Sequence, residues 1–130
     1  MTRNVNSFQR SKAMADNQLV ILSKSFAVVI INLCEKLRER KKATAIINQL
    51  LRSGTSIGAN IHEANYASSK ADFINKFQIA LKECYETVYW LDIFHDAGII
   101  TDEEYSDMYA QCSKIRKLLI ASITTAKKNT

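Results

Sequence analysis

The groups in this chain that could do chemistry are few and scattered. His62 is followed by Glu63 and preceded by Asn60, a polar cluster late in an otherwise apolar stretch. Bundles that hold two irons supply a Glu-x-x-His motif from two helices and a further Glu from each of the others. Here the order is His then Glu, and His95 follows Asp92 by three residues with no second copy. Cys34, Cys84 and Cys112 are odd in number and lack CxxC or CxH spacing, so they make no metal site. Each falls on an apolar helix face, where a free thiol acts as a small hydrophobe. Gly54 and Gly58 do not form a phosphate loop, since no lysine follows at the required place. No serine or cysteine has a base at helical spacing, and no haem or nucleotide signature occurs. The expectation is a protein that is not an enzyme, with no catalytic residues, metal or cofactor.

Charge is the remaining chemical signal. The chain of 130 residues carries a formal net charge of +5. Residues 1–42 hold nine Lys or Arg against Asp16, Glu35 and Glu39, whereas residues 43–67 balance Arg52 against Glu63. An uncompensated basic segment can attract nucleic acid or another acidic partner. Arg40, Lys41, Lys42 and Arg52 are the expected phosphate contacts, with Lys127 and Lys128 in reserve. Phosphate contacts by Lys and Arg give affinity without sequence specificity. The run KLRERKKA also has a structural reading, because cations in a last turn complement the negative end of the helix dipole.

These groups must be positioned by helices. The chain has no proline and three glycines, too few for the many turns of an all-β protein. Residues 49–66, QLLRSGTSIGANIHEANY, place Leu50, Gly54, Ile57, Ile61 and Ala64 at alternating steps of four and three, one helix face. Glycine costs about 1 kcal/mol against alanine inside a helix, so Gly54 and Gly58, with Ser53 and Ala59, predict a close neighbouring helix. Asn60 and Glu63 are expected as a buried polar pair that fixes helix register, at a cost in stability.

Four helices follow from the periodicity, at about 16–40, 43–66, 70–97 and 102–126, after a flexible arm over 1–15. Asp16 is the expected first cap. Leu19, Leu22, Phe26, Val29, Leu33 and Leu37 form the first inner stripe, and Val20, Ile21, Val28 and Ile31 lie off it. A helix apolar on two faces is buried on two sides, so the second face points to another subunit. In the third helix Ile74, Phe77, Leu81, Cys84, Val88 and Leu91 make the stripe, widened by Phe73, Ala80 and Phe94. Gly98 suits the left-handed position after a last turn, and Thr101 with Glu104 forms a capping box. Tyr105, Met108, Cys112, Ile115, Leu119 and Ile123 point inward from the fourth helix. Short loops make neighbours antiparallel, so the fold is an all-α, up-down-up-down four-helix bundle. This topology sets the basic corner 36–42 at the same end as the acidic corner of Asp92, Asp96, Asp102, Glu103, Glu104 and Asp107. Tyr85, Tyr89 and Trp90 add amphipathic surface suited to an interface. Residues 1–18 have no apolar core of signal-peptide length, no run is long enough to cross a membrane, and three free thiols suit a cytoplasmic protein.

The stretch QLLRSGTSIGANIHEA and the segment SSKADFINKFQIALKECYETVYWLDI resemble the four-helix-bundle proteins encoded in intervening sequences of 23S ribosomal RNA genes, also called the S23 ribosomal protein family. The positions that carry the likeness are Gln49, Arg52, Ser53, Thr55, Ser56, Ile57, Asn60, Ile61, Glu63, Phe73, Ala80, Glu83 and Glu86. The chain departs from the pattern at His62, where the family usually has alanine, and at Ala64, where it usually has glycine. The resemblance implies a homo-oligomer, a pentamer forming a barrel with a central channel, and RNA or DNA as a ligand. A related accessory protein of diversity-generating retroelements has the same architecture and is linked to a reverse transcriptase and nucleic acid. No catalytic residue carries over. Two readings therefore stand. One is a non-enzymatic oligomer that contacts nucleic acid through its basic surface. The other is a structural or protein-interaction module, such as an accessory to a nucleic-acid-processing protein, using Tyr85, Tyr89, Trp90 or the Gly54 seam.

Overall fold

The structure, a computed structural model, describes residues 18–42 and 44–128. The expected arm, the Asp16 cap and the last two residues lie outside that range. Four helices follow one another: α1 Val20–Glu39, α2 Thr44–Ala64, α3 Lys70–Asp96 and α4 Asp102–Lys128. Each packs on its neighbours in sequence, and α4 returns to α1, which makes the up-down-up-down bundle. Packing between α1 and α4 is the sparsest of the four neighbouring pairs, so the bundle is parted along that side.

Local sequence explains each corner. At the end of α1, Lys41 takes the left-handed conformation at φ 56°. Its N–H donates to the Arg38 carbonyl at 3.0 Å, and the Lys42 N–H to the Leu37 carbonyl at 3.2 Å. At the end of α3, Gly98 does the same at φ 73°, with its N–H on the His95 carbonyl at 3.0 Å and that of Ile99 on the Phe94 carbonyl at 2.8 Å. Both are Schellman endings, one with the customary glycine and one with a lysine. Ser69 caps α3 by accepting the Asp72 N–H at 3.1 Å. Thr101 Oγ1 accepts the Glu104 N–H at 3.0 Å, and Glu104 accepts the Thr101 N–H at 2.9 Å, a complete capping box.

The core is centred on Phe26, Phe73, Phe77 and Phe94, all fully buried. Its phase differs from the expected stripes in two helices. In α1, Ser23, Ile30 and Cys34 are buried with Phe26, Leu33 and Leu37, while Leu22 and Val29 are only half-buried. In α3 the buried line is Phe73, Phe77, Ala80, Cys84, Thr87, Leu91 and Phe94, and Ile74, Leu81 and Val88 sit at its edge. Both apolar bands are wide, and the small residues Ser23, Ala80 and Thr87 join the large side chains along the buried lines.

The close approach expected at Gly54 is present. A Cβ there would lie 2.9 Å from Ile30 Cγ2 on α1. Gly58 is looser, because a Cβ at that position would lie 3.4 Å from the Ser23 carbonyl oxygen. On the other side of α2, the Ser53 and Thr87 hydroxyls share a buried hydrogen bond of 3.0 Å to α3. Burying two hydroxyls is tolerable only because each finds a partner. The expected Asn60–Glu63 pair does not form. The Asn60 amide donates to the Ser56 carbonyl on its own helix at 2.8 Å, and exposed Glu63 accepts from Lys76 at 3.1 Å. The buried polar contact between α2 and α3 is instead that of Ser53 with Thr87.

Candidate interaction surfaces

Of the six expected phosphate contacts, two are already paired. Arg40, at the end of α1, binds Glu104 at the start of α4 through both terminal nitrogens, at 3.2 and 3.1 Å. The Arg40 hydrogen bond holds the Glu104 carboxyl below its ordinary range. This is the basic corner meeting the acidic corner within one chain. Arg52, halfway along α2, reaches across to Glu83 at 3.2 Å and to Glu86 on α3. The Trp90 indole N–H donates to the same Glu86 at 3.3 Å. Arg52, expected as a phosphate contact, is thus paired to carboxylates of α3, and with Trp90 it serves the α2–α3 seam. Lys41, Lys42, Lys127 and Lys128 are exposed and make no ion pair among the described residues.

The apolar surface is uneven. On α1, Ile21 is 66% exposed, Val28 53% and Ile31 42%. Beside them a groove of about 260 Å³ runs between α1 and α2, lined by the small residues Ser23, Ala27, Gly58 and Ala59 with Lys24 and His62 at its rim. On the other flank of α1 a larger groove, about 470 Å³, opens toward α4 between Val29, Leu33 and Met108, with Lys36 facing Glu103, Glu104 and Asp107. The second apolar face of α1 thus has no partner within the chain among the described residues.

Tyr85 and Tyr89 on α3 are both more than half exposed, and Tyr89 meets the Trp90 ring edge-on at 5.0 Å. A pile of rings crosses from α3 to α4: His95 stacks on Tyr105 at 4.4 Å, and Tyr105 on Tyr109 at 5.7 Å. The Tyr105 hydroxyl donates to Asp92, which pushes the phenol up to about 12. His95 also lies 2.6 Å from Asp102, joining the helix end to the next start. His62 is exposed and tilted against Tyr66 at 5.4 Å.

The cysteines are inert in this environment. All three are buried and free. Burial pushes the Cys34 thiol up to about 11. The Cys84 thiol is raised first by its hydrogen bond with Cys112 and then by burial. Buried thiols are poor nucleophiles and poor ligands, the more so at Cys34 and Cys84 where the protonated form is favoured. Among the described residues no three His, Cys, Asp or Glu side chains converge as a metal site, and no helix is long and apolar enough to cross a membrane.

A further basic group, with no counterpart among the residues expected to bind phosphate, consists of Lys114, Arg116 and Lys117 on α4. Its signal in the chain is the complete lack of Asp and Glu after Asp107.

Comparison with known proteins agrees with this architecture. No curated protein matches the chain. A crystal structure of a protein of unknown function from the S23 ribosomal protein family of Bacteroides thetaiotaomicron is similar at 49% identity, with a TM-score of 0.81 over 85% of this chain and 98% of that one. The family model of the 23S rRNA-intervening sequence protein matches residues 15–121. With most of its length matched and the four-helix bundle in place, the chain belongs to the 23S rRNA-intervening sequence protein family.

Proposed function

We propose that this protein is a self-associating helical bundle without catalytic activity, whose assembled surface contacts nucleic acid. The observation that carries self-association is the exposed stripe of Ile21, Val28 and Ile31 beside two grooves on α1. Burying apolar surface contributes about 25 cal/mol per Å², and a stripe of three large aliphatics flanked by a small-residue groove admits a second helix. A pentamer is the assembly that the resemblance implies. The test is sedimentation velocity of the double variant Val28→Glu, Ile31→Glu. Both positions are solvent-exposed in the single chain, so the fold is expected to persist while the assembly falls to the 14.7 kDa mass of one chain. An assembly unchanged in size places the interface elsewhere.

Nucleic-acid contact is supported by the uncompensated cations. Lys41 and Lys42 stand exposed at one end of the bundle, Lys127 and Lys128 at the other. The variant Lys41→Glu, Lys42→Glu should weaken RNA binding at low salt; unchanged affinity removes that corner from the binding surface.

A further inference from the structure

We infer that the outer face of α4 around Tyr109, Lys114, Arg116 and Lys117 is a docking track for single-stranded nucleic acid, with a base stacked on Tyr109 and phosphates on the three cations. The inference rests on the nucleic-acid reading above and gives it a site. A groove of about 500 Å³ is lined by Tyr109, Ala110, Ser113, Lys114, Arg116 and Lys117.

Charge marks the face first. No Asp or Glu follows Asp107 in the chain, and none of the three cations makes an ion pair among the described residues. Three carboxylates of α3 are already occupied. Glu83 and Glu86 hold Arg52 on the α2 side, and Asp92 accepts the Tyr105 hydroxyl. The helix dipole accounts for Lys127 and Lys128 in the last turn of α4, because its effect fades within that turn. It does not account for Lys114 to Lys117, which lie about three turns earlier at 3.6 residues per turn. Lys114 and Lys117 are exposed and Arg116 is half-buried beside them. Three cations within four residues repel one another, and an anionic partner relieves that repulsion.

The aromatic ring then selects the type of anion. Tyr109 is 40% exposed and is fixed in orientation by the stack through Tyr105 to His95. A ring held in place loses little freedom when a flat partner stacks on it. Cations following a backbone beside an aromatic platform are the arrangement that binds unpaired bases, whereas the bases of a duplex have no free face to present. Ser113 adds a polar group to the same lining. Its hydroxyl is one of two buried side-chain oxygens without a hydrogen-bond partner among the described residues.

The test is a salt titration of the full-length, nuclease-treated protein with a labelled single-stranded RNA of mixed sequence, the matching duplex, and a poly-glutamate peptide. Single-strand binding is expected to exceed duplex binding. Lys114→Gln with Lys117→Gln should lower the log–log salt slope by about 1.4, at about 0.7 for each single-strand phosphate that is no longer neutralised. Tyr109→Ala should cost about tenfold or more in affinity, leave the slope unchanged, and be rescued by Tyr109→Phe. All substitutions lie on the outer face of α4, and thermal melts check that the bundle is intact. Wild-type RNA binding that none of these variants alters overturns the α4 track and leaves the nucleic-acid reading to Lys41, Lys42, Lys127 and Lys128. Poly-glutamate binding as tight as RNA binding, indifferent to Tyr109→Ala, also overturns it in favour of an acidic protein partner. No binding to either nucleic acid at low salt removes both the track and the nucleic-acid reading.

Discussion

Gly54 and Gly58 lie one turn apart on α2 and face the same neighbour, yet they answer different demands. At Gly54 an added methyl group meets Ile30 at 2.9 Å, and that β-branched side chain is fully buried with nowhere to swing. Overpacking of this kind costs about 1–3 kcal/mol, against about 1 kcal/mol gained in helix propensity. Gly54→Ala is therefore expected to destabilise, by about 1 kcal/mol. At Gly58 the closest atom is 3.4 Å away, so Gly58→Ala should be neutral or should stabilise by up to about 1 kcal/mol through propensity alone. Urea melts of the two variants decide it; equal effects would show that the seam is not uniquely tight at Ile30. Glu104 offers a second test at this scale. Its folded pKa lies below the ordinary value of 4.5 because of Arg40, so the pair stabilises above that pH and the contribution is lost as pH falls through the lowered value. Glu104→Gln keeps a capping side chain but should abolish this pH dependence. Glu104→Ala should also lose the reciprocal hydrogen bond to the Thr101 N–H and so destabilise more than Glu104→Gln. A wild type and a Glu104→Gln variant with parallel stability–pH curves would contradict the assignment.

Each helix is legible from its ends more surely than from its faces. Gly98 and Thr101 with Glu104 are local signals, settled within four residues of chain, and the structure shows both in their expected roles. The Ser69 cap is equally local and is found in the structure. The faces are harder. Ile74, Leu81 and Val88 are as apolar as Phe73, Phe77 and Leu91, so periodicity alone does not tell edge from centre. Thr87 is polar, and buried it bonds the Glu83 carbonyl on its own helix and Ser53, 34 residues away. The candidate site suffers from the same non-locality. Arg52 reads as a free cation because Glu83 and Glu86 come 31 and 34 residues later and meet it only once α2 packs on α3. Lys41 shows what local reading can miss at an element end. It occupies the left-handed position that Gly98 fills in the matching corner, a conformation costing an L-residue about 1–2 kcal/mol. Lys41→Gly is expected to raise stability by about 1 kcal/mol, or about 3–5 °C in Tm for a domain of this size. A lowered Tm would show that the lysine side chain contributes more to this corner than its backbone costs.

At the scale of the whole molecule, the chain divides its charges and its apolar surface unevenly. Carboxylates and cations meet at one end through Arg40 and Glu104, and across the α2–α3 seam through Arg52. Among the described residues the cations in the second half of α4 make no ion pair, and α1 has an exposed apolar face. Within the described residues α1 and α4 pack sparsely and Ile21, Val28 and Ile31 stand exposed, and the proposed self-association would bury that stripe. The most direct test is the mass of the purified, nuclease-treated wild-type protein by sedimentation equilibrium, over a range of protein concentration and salt. A stable species at a fixed multiple of 14.7 kDa, five for the assembly that the resemblance implies, and persisting at high salt as an apolar interface requires, is the predicted result. A monomer at every concentration and salt would contradict self-association and leave the α1 stripe to a different partner.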